Sequence, residues 1–387
     1  NQADDFREKY EGYDLTADVE GTVREGTYTR YQNAHADAAY PGADVEVSLP
    51  DYVSGENVEV YDAYEGFENA LYTGEGSSVT WEVEVPESGL YNVCLDYMTV
   101  ESRGVAIERA LYINGELPFD DAANIAFSRL WKDGGEVRVD NQGNEIRPTQ
   151  VEAYAWQRAY CRDDMGYIAE PYEFYLEKGK NEITLEAVNE PMVIGQLKLA
   201  AVKEAPSYQE YLGARGGSKA SGEGLSYKQV VQGEHATLRS ESSLYAKYDR
   251  SSPTTQPNSV TKTILNYTGG DAWSSPGQWI QWDVQVPEDG FYHITVKGRQ
   301  NYSRGSVSAR SLYIDGEIPF SEVKEISFEY DNDWNCMTLG DEEGEPYLFW
   351  LTAGTHTLKL EATLGKLGGI LEELEDSTYR LNQMYRK

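Results

Sequence analysis

The 30 tyrosines and 8 tryptophans of this chain outnumber its 9 phenylalanines. Tyr and Trp pair a flat apolar face with a hydrogen-bonding edge. Set beside planar Asn, Gln, Asp or Arg side chains, such rings cover the C–H face of a cyclic polyol while the polar groups take its vicinal hydroxyls. Two stretches have this composition. GGDAWSSPGQW places Trp273 in a Gly/Ser/Pro-rich loop and Trp279 on the strand face opposite Trp282. The second stretch carries Trp131, Tyr154, Trp156, Tyr160 and Tyr167 amid Asp140, Asn141, Gln142, Asn144 and Arg147. The candidate ligand residues are therefore Trp273, Trp279, Trp131, Trp156, Tyr154, Asn141, Asn144 and Arg147. Each stretch has a second reading. Trp279 would pack under a neighbouring loop or another module, and the second stretch would dock on protein, since interfaces are enriched in Tyr, Trp and Arg.

Catalytic signatures are missing. There is no G-x-S-x-G elbow, H-E-x-x-H pair or P-loop, and His35, His235, His293 and His356 lie far apart in sequence. A pair of carboxyls for glycoside hydrolysis among 66 acids is a matter of three-dimensional distance. Cys94, Cys161 and Cys336 are too few and too scattered for a disulfide framework or a zinc site. The formal net charge of −33 repels phosphate backbones and anionic headgroups, which disfavours nucleic acid and membrane surfaces as partners. No run of about 18 apolar residues is present to span a bilayer.

An internal repeat supplies the elements that must position these residues. WEVEVPESGLY, Trp81 to Tyr91, returns as WDVQVPEDGFY, Trp282 to Tyr292, at an offset of 201. The same offset maps ALYINGELPF onto SLYIDGEIPF, Arg103 onto Arg304 and Arg109 onto Arg310. YLEKGKNEITLEA from Tyr175 matches WLTAGTHTLKLEA from Trp350 at an offset of only 175, so the first copy carries 26 extra residues between Phe127 and Tyr175. Ile280, Trp282, Val284 and Val286 alternate with polar or outward-facing positions, the period of a half-buried strand. Asn114-Gly115 and Asp315-Gly316 are the dipeptides of type I′ hairpin turns. Short strands and frequent turns predict an all-β chain of two antiparallel jelly-roll sandwiches.

The predicted organisation is a first sandwich over 1–202 with a long insertion at about 132–170, a linker over 203–226, a second sandwich over 227–363, and a helix over 364–387. The opening stretch Asp4 to Tyr10 is expected to form one or two helical turns. Ser78 stands in the first copy where the second has Trp279, so the shared core does not require that indole. Arginines 103/304 and 109/310 recur in both copies and are expected to tie loops to the abundant acids rather than to clamp a ligand. The tail has Ile370, Leu371, Leu374, Leu381 and Tyr385 at helical spacing with no stop signal, and the chain opens on Asn1 without Met. It reads as a processed or excised segment of a longer protein.

The W-x-V-x-V-P-x-x-G-x-Y strand pair, the L-Y-I-[ND]-G-E-[LI]-P-F hairpin and the G-x-x-x-[IL]-x-L-E-A closing strand resemble the galactose-binding-like sandwich of carbohydrate-binding modules, families six and thirty-five among them. RLWKDGGEVRVDNQGNEIRP, PSYQEYL, DRSSPTTQP, GDEEGEPYLFWL and YRLNQMYRK look more specifically like the N-terminal region of large Gram-positive extracellular solute-binding proteins of carbohydrate ABC uptake systems. The resemblance implies a non-catalytic region at the cell surface, in full length a lipoprotein, that binds an oligo- or polysaccharide ahead of a downstream solute-binding domain. It leaves as alternatives a scaffold that docks and spaces that domain, and a glycoside-active enzyme. It implies no cofactor beyond a structural calcium, for which Glu20 or Glu234 with Glu186 or Glu361 would be the corresponding acids.

Overall fold

The computed structural model describes residues 24–215 and 227–386; the expected turns at Asp4 to Tyr10, and Glu20, lie outside the described residues. Strand is the commonest regular structure among the described residues, in two sandwiches built to one plan. In the first, the 19-residue strand Phe67–Val85 passes between layers: its start pairs with Met192–Ala201 and its end with Gly179–Asn189. Trp81 lies opposite Ile183 in that ladder, and Trp282 lies opposite Leu358 in the second sandwich. Both pairs fit the repeat offsets. Trp81 is fully buried and donates to the Leu49 carbonyl at 3.0 Å; Trp282, half-buried, donates to the Gly233 carbonyl at 2.9 Å.

The type I′ turns form as the dipeptides require. Asn114 and Gly115 have φ of 53° and 79°, Asp315 and Gly316 of 52° and 85°. A second repeated device is a short helix latched to each sandwich. Helix α1 (Tyr28–Ala34) begins on Thr27, and α2 (Tyr208–Gly213) begins on a capping box of Ser207 and Glu210. The hydroxyls of Tyr28 and Tyr31 accept the backbone N–H groups of Glu173 and Tyr175 at 2.8 and 2.7 Å. Those of Tyr208 and Tyr211 accept from Leu348 and Trp350 at 2.9 and 2.8 Å. Strand-edge amides that would otherwise be unsatisfied are thereby paired. The rings sit on Phe119 and Phe320 respectively. Thus the described part of the segment read as a linker, 203–226, includes a helix belonging to the packing of the second sandwich.

The insertion extends the second sandwich. Its strands Gln150–Glu152 and Trp131–Asp133 pair with each other, and Trp131 pairs with Arg239 of Leu238–Arg239. They become the first two of seven strands that continue through Trp279–Val286, Gly354–Thr363, Ser308–Ile314 and Ile326–Phe328. Leu130 and Ala153 from the first module close over Trp279 and Leu238 of the second. Helix α3 (Leu367–Arg386) lies against the first module through Glu375 on Arg24. Among the described residues no helix is long and apolar enough to cross a membrane.

Candidate functional site

Where the insertion meets the second module, an Asx-type turn sets the geometry. The Asp140 carboxylate accepts the N–H groups of Gln142 and Asn144, each at 2.8 Å, and the Asn144 amide at 3.0 Å. This leaves Asn144 Oδ1 to accept from the Thr263 N–H at 2.9 Å. Glu145 donates its N–H to the Thr263 carbonyl at 2.9 Å and accepts the Leu265 N–H on Oε2 at 2.7 Å. So fastened, the turn places Arg147 with its guanidinium 3.5 Å from the centre of the Tyr245 ring, a cation–π stack.

Beside that stack is an open cleft of about 360 Å³ whose lining includes Glu145, Arg147, Tyr245, Lys247, Tyr248 and Tyr267. Tyr248 is 50% exposed. Lys247 pairs with Asp271 at 2.5 Å. Behind Tyr267, 5.7 Å between ring centres, stands Trp334, whose indole donates to Asp249 Oδ2 at 2.8 Å. Arg299 pairs with the same oxygen at 3.1 Å and lies 4.8 Å over the Trp334 ring. Burial opposes ionisation of Asp249, but hydrogen bonds from Ser251 and Trp334 and the Arg299 charge hold its carboxyl below the usual range. Asn266 braces the loop, accepting the Asp249 N–H at 2.8 Å and donating to the carbonyls of Asp249 and Pro257, both at 2.9 Å. The result is a rigid wall of rings with charged edges.

The structure brings three of the residues singled out in the sequence to this region. Arg147 lines the cleft, Asn144 fastens it, and Asn141 is exposed in the same turn. The tryptophans go elsewhere. Trp279 is 8% exposed and forms the inter-module core with Leu130 and Ala153, which corrects the expectation of an open indole platform: a strand arriving from the insertion covers its outer face. Trp273 is half-buried against the core, donates to the Gln278 carbonyl at 3.0 Å, and is capped by Arg310 at 4.4 Å. Trp131 is half-buried within the extended sheet. Trp156 donates to the Glu65 carbonyl at 2.8 Å and packs 4.3 Å from Phe67, over Gly195, where a Cβ would come within 2.8 Å of both rings. Tyr154 is 50% exposed but does not line the cleft.

The recurring arginines are structural where they are buried. Arg109 donates to the carbonyls of Glu108, Asn189 and Glu190 and to Thr73, and Arg310 to the Trp273 and Ala309 carbonyls. Desolvation lowers both to about 10. The calcium expectation fits poorly. Glu361 is engaged by Arg162 at 2.8 Å and Lys359 at 3.6 Å, and Glu234 is buried with Oε2 unpartnered and its pKa raised by desolvation. Among the described residues no group of three His, Cys, Asp or Glu side chains is placed to hold a metal, whereas calcium takes six to eight oxygens.

Sequence reasoning did not single out Tyr245, Lys247, Tyr248, Tyr267, Arg299 or Trp334. The available signal was KGRQNYSRGSVSAR, Lys297 to Arg310, which holds four cations and no acid in a chain of net charge −33.

No family model and no curated protein matches the chain. Solved structures of carbohydrate-binding modules are similar at a low level. A family 35 module from Clostridium thermocellum is 16% identical over 41% of this chain and 100% of its own, with a TM-score of 0.24. The CBM35 from Cellvibrio japonicus Abf62 is 17% identical over 42% of this chain and 95% of its own, at 0.26. The GH26-CBM35 β-(1,4)-mannanase of Podospora anserina is 12% identical over 43% of this chain, at 0.26, and this chain spans only 29% of that enzyme.

Proposed function

We propose that this chain is a non-catalytic saccharide-binding pair of sandwiches whose ligand lies in the cleft completed by the insertion on the second module. The observation that carries this reading is the Arg147–Tyr245 stack beside Tyr248 and Tyr267. Tyrosine faces suit the apolar side of a sugar ring, while Arg147, Lys247 and the tyrosine hydroxyls present hydrogen-bonding groups at its edge. Hydrolysis would need two carboxyls about 5 to 10 Å apart flanking the bond. Among the described residues the only carboxylate lining the cleft is that of Glu145, and its Oε2 is occupied by the Leu265 amide. The wider setting, an extracellular lipoprotein that feeds a downstream solute-binding domain for sugar uptake, is supported by the sequence resemblance alone. Calorimetric titration of the chain with a panel of oligo- and polysaccharides tests the reading. Binding lost in Tyr245→Ala supports it; silence across the panel removes it.

A scaffold role has its own supporting observation. Sheet extension by the insertion and the core around Trp279 join the modules into one body, the property needed to space a further domain. Deleting residues 134–150 should then free the modules to tumble independently, seen as an increased radius of gyration by small-angle scattering.

A further inference from the structure

Helix α3 gives one face to the first module and the other to solvent. On the inner face Arg24 pairs with Glu375 at 3.4 Å and lies 5.6 Å from the centre of the Tyr379 ring, and Thr29 donates to Glu372. Gly368 sits so close to the Tyr167 carbonyl that a Cβ would come within 2.4 Å of its oxygen. The outer face is apolar. Leu367, Ile370, Leu374, Leu381 and Met384 are 44, 62, 60, 67 and 46% exposed. A continuous apolar stripe left in water marks an interaction surface.

The spacing of the stripe says what fits it. Leu367, Leu374 and Leu381 recur every seven residues, and Ile370, Ser377 and Met384 recur every seven between them. These are the a and d positions of a coiled-coil seam, narrower than the stripe a helix turns to a globular core. Against a second copy running the other way, the seam is its own complement. Leu367 meets Met384, Ile370 meets Leu381 and Leu374 meets Ser377, each layer occurring twice about a two-fold axis. The small Ser377 side chain falls in the layers nearest that axis, where the two backbones must approach. The same register sets Glu373 opposite Arg380 at the flanking g positions. Arg380 also bonds Asp376 of its own helix at 3.0 Å, and the five donors of a guanidinium serve more than one carboxylate. A parallel pair would instead face Glu373 with Thr378, stack Ser377 on Ser377 and crowd both second modules at one end.

We infer that the outer face of α3 docks a second copy of this chain, the two helices pairing antiparallel along residues 367–384. A helix of 20 residues spans about 30 Å at 1.5 Å per residue. The interface is therefore at the small end of the scale and the dimer a weak, micromolar one. The acidity of both copies opposes it, but at physiological salt charges more than about 8 Å apart are screened, so added salt strengthens the pair. On the saccharide-binding reading above, the dimer carries two clefts, and a polymer that reaches both gains avidity without a new contact. The pairing itself does not rest on that reading.

The test is sedimentation velocity of the whole chain from about 1 to about 300 μM, the range that a weak dimer requires. We expect a reversible monomer–dimer equilibrium that Leu381→Glu weakens about tenfold or more, because the new charge is buried only in the dimer. As Leu381 is exposed in the single chain, the variant should keep the wild-type melting curve. Orientation is read by cysteine pairing in a Cys336→Ser background. An equal mixture of Ile370→Cys and Leu381→Cys chains should oxidise to the mixed disulfide, and neither chain alone should cross-link. Cross-linking of Ile370→Cys alone would overturn the antiparallel register. A chain monomeric throughout the range would overturn the proposal, as would a dimer that survives Leu381→Glu undiminished. Dimers that form only after residues 1–23 are removed would also overturn it, because the chain's own opening stretch would then be the occupant of this face.

Discussion

The two sandwiches share a strand ladder, a hairpin and a tyrosine latch, and they differ in what was done with three matched positions. Ser78 of the first module corresponds to Trp279 of the second, which is sealed under the insertion. Arg103 is spent on an internal ion pair, whereas Arg304 is left open to solvent. Asn181 accepts from Asn114 across the hairpin, and at the same place His356 meets Asp315 at 2.6 Å. The shared features make a stable sandwich. The divergent ones make the second module a partner, first for the insertion and then, on our account, for a ligand.

The comparison breaks most visibly at the interface. Trp279→Ala should cost about 3–5 kcal/mol, the range for emptying a large buried aromatic site, while Ser78→Ala should stay within about 0.5 kcal/mol. Denaturant unfolding followed by Trp fluorescence should also resolve into two transitions in the Trp279 variant, because the core linking the modules is lost. A single unchanged transition would show that the modules do not depend on this contact.

Next comes the ion-pair core of the first module. Glu190, fully buried, pairs with Arg129 at 2.6 Å and with Arg103. Its desolvation is outweighed by Ser102, Arg103 and Arg129, which hold the carboxyl below its ordinary value. Glu190→Gln should cost about 3 kcal/mol by leaving the buried Arg129 charge short of a partner. In the wild type this contribution is present above the unfolded carboxyl pKa, about 4.3, and is lost as pH falls through the lower native value. An acid melt of the first module that is unaltered by the substitution would contradict this assignment.

The latches predict equality instead of contrast. Tyr31→Phe and Tyr211→Phe each strand one strand-edge N–H, of Tyr175 or Trp350, and each should cost about 1 kcal/mol. Unequal costs in urea melts would mean that the two helices are not equivalent devices.

The smallest effect belongs to the hairpin. Burial disfavours His356 protonation, but the Asp315 hydrogen bond, the Thr352 carbonyl and the Asp315 charge raise its pKa on balance. The stability it adds is therefore complete below the unfolded value of about 6.5 and is lost as pH rises through the higher native one. His356→Asn, copying Asn181, should flatten the stability of the second module across that window, as read by thermal melts between pH 5 and 9.

Elements set by neighbouring residues were legible in the sequence: period-two strands, Asn-Gly and Asp-Gly turns, and the repeat itself. The tyrosine latches are not legible in this way, although Tyr28-x-x-Tyr31 and Tyr208-x-x-Tyr211 are plain in the chain. A seven-residue helix shows little periodicity, and its work is done on amides over 130 residues away. Trp279 carries two readings in the sequence for the same reason. Alternation shows which side of a strand a residue faces, but not that a strand near Trp131 will arrive to cover it. In the cleft, Arg147 was accessible from composition, whereas Tyr245 and Tyr267 become neighbours only once Asn144 and Glu145 fasten the insertion to Thr263 and Leu265.

Hydrogen–deuterium exchange of the whole chain, with and without a bound saccharide, tests the central claim most directly. The account predicts new protection at residues 140–147, 245–250, 263–267 and 298–306, with the first module's matching loop around Arg103 unchanged. Protection confined to the first module, or saturating binding that leaves all four segments unprotected, would contradict it.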